Sequence, residues 1–167
     1  MELRKLGFNN DIRDGAPICR YTHDTLTLDV MPTEATLGFA NPWSPHAHRT
    51  SVEYVISSAD VAPVTIRVIS AASFIATKLV SYRDRGQRDP YHRDLEDIIV
   101  VVDGRATLFD ELTHEPAELR KYVRNEITTL LANDLEQHIP SHLSPDAASQ
   151  ARFPIVVSRL RRISLDL

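Results

Sequence analysis

AASFIATKLVSYRDRGQRDPYHRDLEDIIVVVDGR, residues 71–105, sets the fold expected of the whole chain. It predicts helix, polar loop, helix. The first helix opens near Ser70 and carries Phe74, Ile75, Leu79 and Tyr82 at helical spacing, a face suited to a core. Lys78 lies one turn from both Phe74 and Tyr82, so it borders that face rather than the solvent side. The loop gathers Arg83, Asp84, Arg85, Arg88, Asp89 and His92 around Gly86 and Pro90. In the second helix Leu95, Ile98, Ile99 and Val102 share one face and Asp94 and Asp97 another, with Asp103-Gly104 as the stop.

Two readings of this segment stand side by side. One is a surface loop of solvated ion pairs between two core helices, pairs that add little stability. The other is a polar cleft for phosphate, with Lys78 and the arginines as cations. Guanidinium groups match phosphate geometrically, and a lysine beside an apolar face acts as a directed point charge.

Upstream, residues 1–8 read as the end of a helix stopped by Gly7, followed by a turn over Asn9 to Gly15. Two strands follow, Ala16 to Thr22 and Thr25 to Met31, joined by a hairpin turn at His23-Asp24. Leu26, Leu28 and Val30 alternate with Thr25, Thr27 and Asp29, and Pro32 ends the strand because it cannot donate to a ladder. Ala35 to Asn41 is a loop around Gly38. Trp43 to Ser57 opens on Ser44-Pro45, an N-cap and first-turn proline pair. Its His46 and His48, two apart, do not share a helix face and read as plain surface histidines. Ser58 to Pro63 turns the chain into Val64 to Ile69, a short strand that leads to Ser70, a capping hydroxyl.

Downstream, a short helix over Leu108 to Leu112 precedes Pro116, which suits a first turn. Leu119, Tyr122, Val123, Ile127, Leu130 and Leu131 then predict an amphipathic helix to about His138, stopped by Pro140. Ser144-Pro145-Asp146 opens another helix, which Pro154 interrupts or kinks. Arg159, Arg161 and Arg162 in the tail read as a charged solvent face, with a phosphate or partner contact as the alternative.

The composition is that of a globular chain of 167 residues with ample apolar content. A net charge of −4 supplies no global field for nucleic acid. Cys19 alone excludes an internal disulfide and a cysteine-based zinc site, and it reads as a buried or half-buried strand residue. Residues 1–8 are charged from the start and no apolar run suits a bilayer, so the expected setting is the cytoplasm, without a membrane. The fold expected is α+β (or α/β): a small mixed sheet from about residues 16 to 69, then a helical C-terminal half. The expected division is a core over 1–112 and a helical region over 113–167 packed on it.

The order of these pieces resembles the AbiEii toxin type of nucleotidyltransferase, a branch of the polymerase-β-like superfamily. The resemblance rests on FIATKLVSYRDRG and RDPYHRDLEDIIVVVDGR, together with Leu6-Gly7-Phe8, Gly15 to Arg20, Leu28 to Pro32, Leu37-Gly38-Phe39 and Ile66 to Ile69. It covers roughly residues 1 to 137; its motifs are individually loose and more specific in their order. It implies a partial nucleotidyltransferase-like fold and transfer of a nucleotidyl group from an NTP to an acceptor hydroxyl. It further implies Asp29 as a metal-binding and catalytic carboxylate, Asp94 and Asp97 as catalytic residues orienting the acceptor or the loop arginines, and Lys78, Arg85 and Arg88 as nucleotide-binding cations. Mg2+ would be the cofactor, since it prefers hard oxygen ligands and two such ions steady the attacking and leaving oxygens of an in-line displacement. An RNA acceptor and an antitoxin protein are the further partners implied.

The family's other two metal carboxylates form an Asp-x-Asp/Glu pair on a strand after a Gly-Gly or Gly-Ser turn. Residues 1–28 hold neither; Asp11 and Asp14, three apart in a polar loop, are not substitutes. The chain therefore reads as a shortened form, or as a remnant that has lost catalysis and binds nucleotide or protein. A third reading, outside the family, makes the ion-pair loop structural. A sheet lacking its first strands exposes an edge and apolar surface, which predicts self-association as a homo-oligomer or a partner protein.

Overall fold

The computed structural model describes residues 2–32, 40–58 and 61–167. It is α+β, with a helical C-terminal half. Leu37-Gly38-Phe39, the loop around Gly38 and the centre of the turn expected over Ser58 to Pro63 lie outside the described residues. In place of one mixed sheet, the described residues form two antiparallel ones, of three strands and of two. The chain divides into two compact units at Ala40/Asn41.

The N-terminal unit starts with α1 (Glu2–Lys5), which Gly7 ends at φ +86°. A Cβ on Gly7 would collide with the His23 ring, so glycine serves both the left-handed backbone and the close approach. Strand β1 (Asn9–Asn10) pairs with β2 (Arg20–His23), and β2 with β3 (Leu26–Asp29). Asp24 takes a left-handed φ of +50° in the hairpin connection, a conformation aspartate tolerates. The strand expected from Ala16 begins only at Arg20. Gly15 at φ +76° and the bonds Ala16 N–H to Arg13 O and Arg20 N–H to Pro17 O fold residues 13–20 into turns. Cys19 is buried, but in that turn rather than in a strand.

The second unit begins with α2 (Ser44–Thr50), with Pro45 in its first turn and Trp43, not Ser44, at the cap position. The helix stops because Ser51 is extended (φ −62°, ψ 143°), and Val52–Ser58 continues as strand β4. Its partner β5 (Val61–Val68) starts before the expected residue 64 and contains Pro63. Both strands are edge strands here, where a missing N–H is tolerated.

Helices build the core. They are α3 (Ala71–Arg85), α4 (Arg93–Gly104), α5 (Leu108–Thr113), α6 (Ala117–Ala132), α7 (Leu135–His142), α8 (Ala147–Gln150) and α9 (Phe153–Asp166). Ile75 and Leu79 of α3 and Leu95, Ile98, Ile99 and Val102 of α4 are buried, as their spacing predicts. They join one cluster with Leu112, Leu119, Val123, Ile127, Ile139, Val156, Leu160 and Ile163, which spans both sides of residue 112.

Two helix boundaries differ from expectation. The helix from Ala117 ends at Ala132, because Asp134 adopts φ +61° and Asn133 bonds back to Thr129 O. A new helix, α7, then runs through Pro140 instead of stopping there. Pro154 falls in the first turn of α9, where its missing N–H has no intrahelical acceptor in any case.

Candidate functional site

The loop and its two helices bring together four of the six residues singled out from the sequence. Helix α3 is fixed at its start by Ser70, whose Oγ accepts from Ser73 N–H at 3.0 Å. Helix α4 starts at His92, whose Nδ1 accepts from Asp94 N–H at 3.2 Å. Asp94 thus sits in the first turn of α4, where the helix dipole favours an acid. Asp97, three residues on, lies on the same side of the helix. Lys78, in mid-α3, reaches across to both, donating to Asp94 Oδ1 at 3.0 Å and Asp97 Oδ2 at 2.5 Å. Arg85, in the last turn of α3, forms a fork on Asp94, Nε to Oδ2 at 2.8 Å and Nη2 to Oδ1 at 2.9 Å.

Asp94 is the centre of this node and is only 2% exposed. Burial by itself pushes its carboxyl pKa up. The hydrogen bonds and charges of Arg85 and Lys78 outweigh that, and the net shift is downward. Two cations and two carboxylates leave the node formally neutral. Lys78 keeps its aliphatic stem on the apolar side, with Nζ 5.5 Å from the centre of the Phe74 ring. As it stands the node clasps α3 to the start of α4.

Arg88 does not join the node. It follows Gln87 at the tip of the loop, both with left-handed backbone (φ +51° and +62°), and it lines a separate cavity against α6 and α7. Gly86 makes that loop possible: a Cβ there would lie 2.5 Å from the Tyr82 carbonyl oxygen and against its ring. Asp29, the end of β3, belongs to the N-terminal unit, where Arg20 holds it by Nε to Oδ1 at 2.8 Å and Nη2 to Oδ2 at 2.9 Å. Among the described residues no three His, Cys, Asp or Glu side chains cluster in a metal-binding arrangement. Asp29 with its arginine partner therefore does not by itself fit a two-metal centre.

Other polar contacts depart from the sequence reading. His46 is not a plain surface residue: its Nε2 lies 2.7 Å from Glu115 Oε2, and Ser70 Oγ donates to Oε1 of the same carboxylate at 3.3 Å. His48 is exposed. Arg159 is not part of a solvent face either. It donates from Nη1 to the carbonyls of Val102 and Asp103 at 2.8 and 2.5 Å, while Arg152 holds the Asp103 carboxylate at 2.7 and 3.0 Å. The two arginines close the C-terminal end of α4, where cations suit the dipole. Partners about fifty positions apart leave no local signal for this.

No helix among the described residues is long and apolar enough to cross a membrane. Comparison with models of known protein families, with curated proteins and with solved structures gives no match to this chain.

Proposed function

We propose that this chain is a nucleotidyltransferase-like protein of the AbiEii toxin type, impaired in catalysis as written. The observation that carries the reading is the node itself. The ATKL and DLEDII runs, which bear the resemblance, face each other, with Lys78 bonded to Asp94 and Asp97 at once. In this reading an NTP phosphate exchanges with carboxylate on Lys78 and Arg85, and Asp94 and Asp97 hold those cations in place for it. Arg88, expected beside them from the resemblance, lines a separate cavity and takes no part in that exchange. Asp29 is the one residue matching a metal carboxylate; an Mg2+-assisted transfer to an acceptor such as RNA would need two more carboxylates, from a second subunit for example. The setting is the cytoplasm and an antitoxin protein is the expected partner.

The second reading is a non-catalytic remnant that binds nucleotide or protein, favoured by the ion pair on Asp29. Transfer of label from each α-labelled NTP to a total RNA and protein extract, with Mg2+ or Mn2+, separates the two. Label that appears with the wild type and vanishes in Asp29→Ala establishes a transferase. No label with either metal leaves a remnant or a shortened form of the enzyme, and restoring an upstream in-frame segment tells those two apart.

Self-association belongs to the same proposal. Val52, Tyr54 and Ile56 of β4 and their cross-strand partners Val68, Ile66 and Val64 share one face of the hairpin. All six are between 38% and 63% exposed. A two-stranded ribbon is marginal in water alone. Its uncharged, largely apolar face is best complemented by another such face, which a second copy supplies about a two-fold axis. Sedimentation at micromolar concentration should show a dimer that Ile66→Lys converts to monomer; a wild-type monomer refutes it.

A further inference from the structure

The cations of the central loop divide into two groups. Lys78 and Arg85 are each bonded to Asp94. Arg88 makes no ion pair among the described residues and lines a cavity of about 500 Å3 instead. That volume lies within the range of small-molecule pockets. The cavity lies between the C-terminal end of α3, the loop over 86–92, the second half of α6 and α7. Leu95 and Leu135 give it apolar wall, and Tyr82 adds an aromatic ring. Arg83, Arg88 and His138 supply its cationic or protonatable groups. The acid among the lining residues, Glu126, is already paired with Arg83 at 3.6 Å.

The loop places Arg88 there at an energetic cost. Two successive non-glycine residues with positive φ cost about 1–3 kcal/mol each and persist only where their surroundings over-determine them. Those surroundings are visible: Tyr82 Oη donates to Asp89 O at 3.1 Å, Asp89 N–H to Gly86 O at 2.7 Å, and His142 Nε2 lies 2.7 Å from Pro90 O. The same tyrosine that anchors the loop therefore forms part of the cavity wall.

We infer that this cavity binds a phosphorylated compound with a planar ring, of the size of a nucleoside monophosphate. Arg88 takes the phosphate and the ring lies against Tyr82 and Leu95. A guanidinium fork suits phosphate oxygens, and Arg88 is the arginine of the lining that no ion pair among the described residues engages, since Arg83 is shared by Asp84 and Glu126. The apolar lining suits the faces of a ring. The inference is one of binding and stands apart from nucleotidyl transfer.

Isothermal titration of the full chain with adenosine 5′-monophosphate tests it, beside adenosine, inorganic phosphate, benzoate and phenyl phosphate. Saturable binding of the monophosphate is expected, weakened about tenfold or more by Arg88→Ala, the loss of a charge-assisted contact. Adenosine should bind weakly and equally to both proteins. Arg88 is exposed and unpaired, so the variant should melt with the wild type. Phenyl phosphate binding as well as the nucleotide supports a ring and phosphate as the whole determinant; tighter nucleotide binding supports a nucleoside source. Four results would overturn the inference: no saturable heat up to about 5 mM nucleotide, equal affinity of Arg88→Ala, inorganic phosphate binding as tightly as the nucleotide, or benzoate doing so. Loss of binding in Lys78→Met equal to that in Arg88→Ala would move the ligand to the neighbouring node and overturn it too.

Discussion

Replacing Asp94 by asparagine tests whether the node is structural. The side chain keeps its shape and loses its charge, leaving Lys78 and Arg85 without their common partner. Removing one member of a buried ion pair costs about 3–5 kcal/mol. Here the figure must be reduced for Arg85, which is 62% exposed and can turn to water. Lys78 is 23% exposed and retains Asp97. A loss of about 3 kcal/mol follows, dominated by the charge-assisted bonds that Lys78 and Arg85 no longer make to a carboxylate. For a chain of this length that lowers Tm by about 6–12 °C. Trp43, the single tryptophan, packs 5.4 Å from the Tyr122 ring within the same unit, so its fluorescence in a urea titration reports the unit that contains the node. Lys78→Met should cost less, since Arg85 still holds Asp94, and the double variant should fall short of the sum of the singles because the residues are in contact. Acid gives an independent check. The Asp94 pKa is depressed by folding, so its contribution is complete above the ordinary value of 3.8 and is lost as pH falls through the lower folded value. The stability gap between wild type and Asp94→Asn should therefore be constant near neutrality and close only below about pH 4. An asparagine variant melting within about 1 °C of the wild type would refute the reasoning, as would a gap that narrows above pH 5.

Two further substitutions examine the elements that frame the site. Arg159→Ala removes both carbonyl bonds at the end of α4 and should cost about 1–2 kcal/mol, with faster amide exchange at Asp103 to Arg105 and no change at the start of the helix; uniform exchange along α4 would count against a capping role. Gly86→Ala drives a methyl against the Tyr82 carbonyl and ring and should lower the urea midpoint by an amount equal to about 1–3 kcal/mol; an unchanged midpoint would show that the loop can shift without penalty.

What the sequence made legible was whatever has a short period or a local partner. Ile98, Ile99 and Val102 declare their face through spacing, and Ser70 declares its cap by standing before Ala71. Asp94 and Asp97 could be placed on one side of α4 from their numbering, and Lys78 beside the apolar border of α3 from its own. That Lys78 meets them was not legible: the resemblance gave Lys78 to nucleotide phosphate and the two acids to the acceptor or the loop arginines. The strands failed where turn chemistry competed with alternation: Gly15 and Pro17 delay β2, and an extended Ser51 converts the end of an apparent helix into β4. Helix boundaries failed where a single backbone outweighed the pattern. Asp134 at φ +61° splits a run whose apolar period continues past it, and Pro154 stands in the first turn of a helix rather than interrupting one. The separation of Arg88 from Arg85 was the least readable feature. Three positions apart in sequence, they reach different partners because Gly86 ends α3 and two left-handed residues redirect the chain. A row of arginines in a loop therefore specifies charge but not destination. Backbone conformation at Gln87 and Arg88 is what divides one basic segment into a neutralised clasp and a cation facing a cavity.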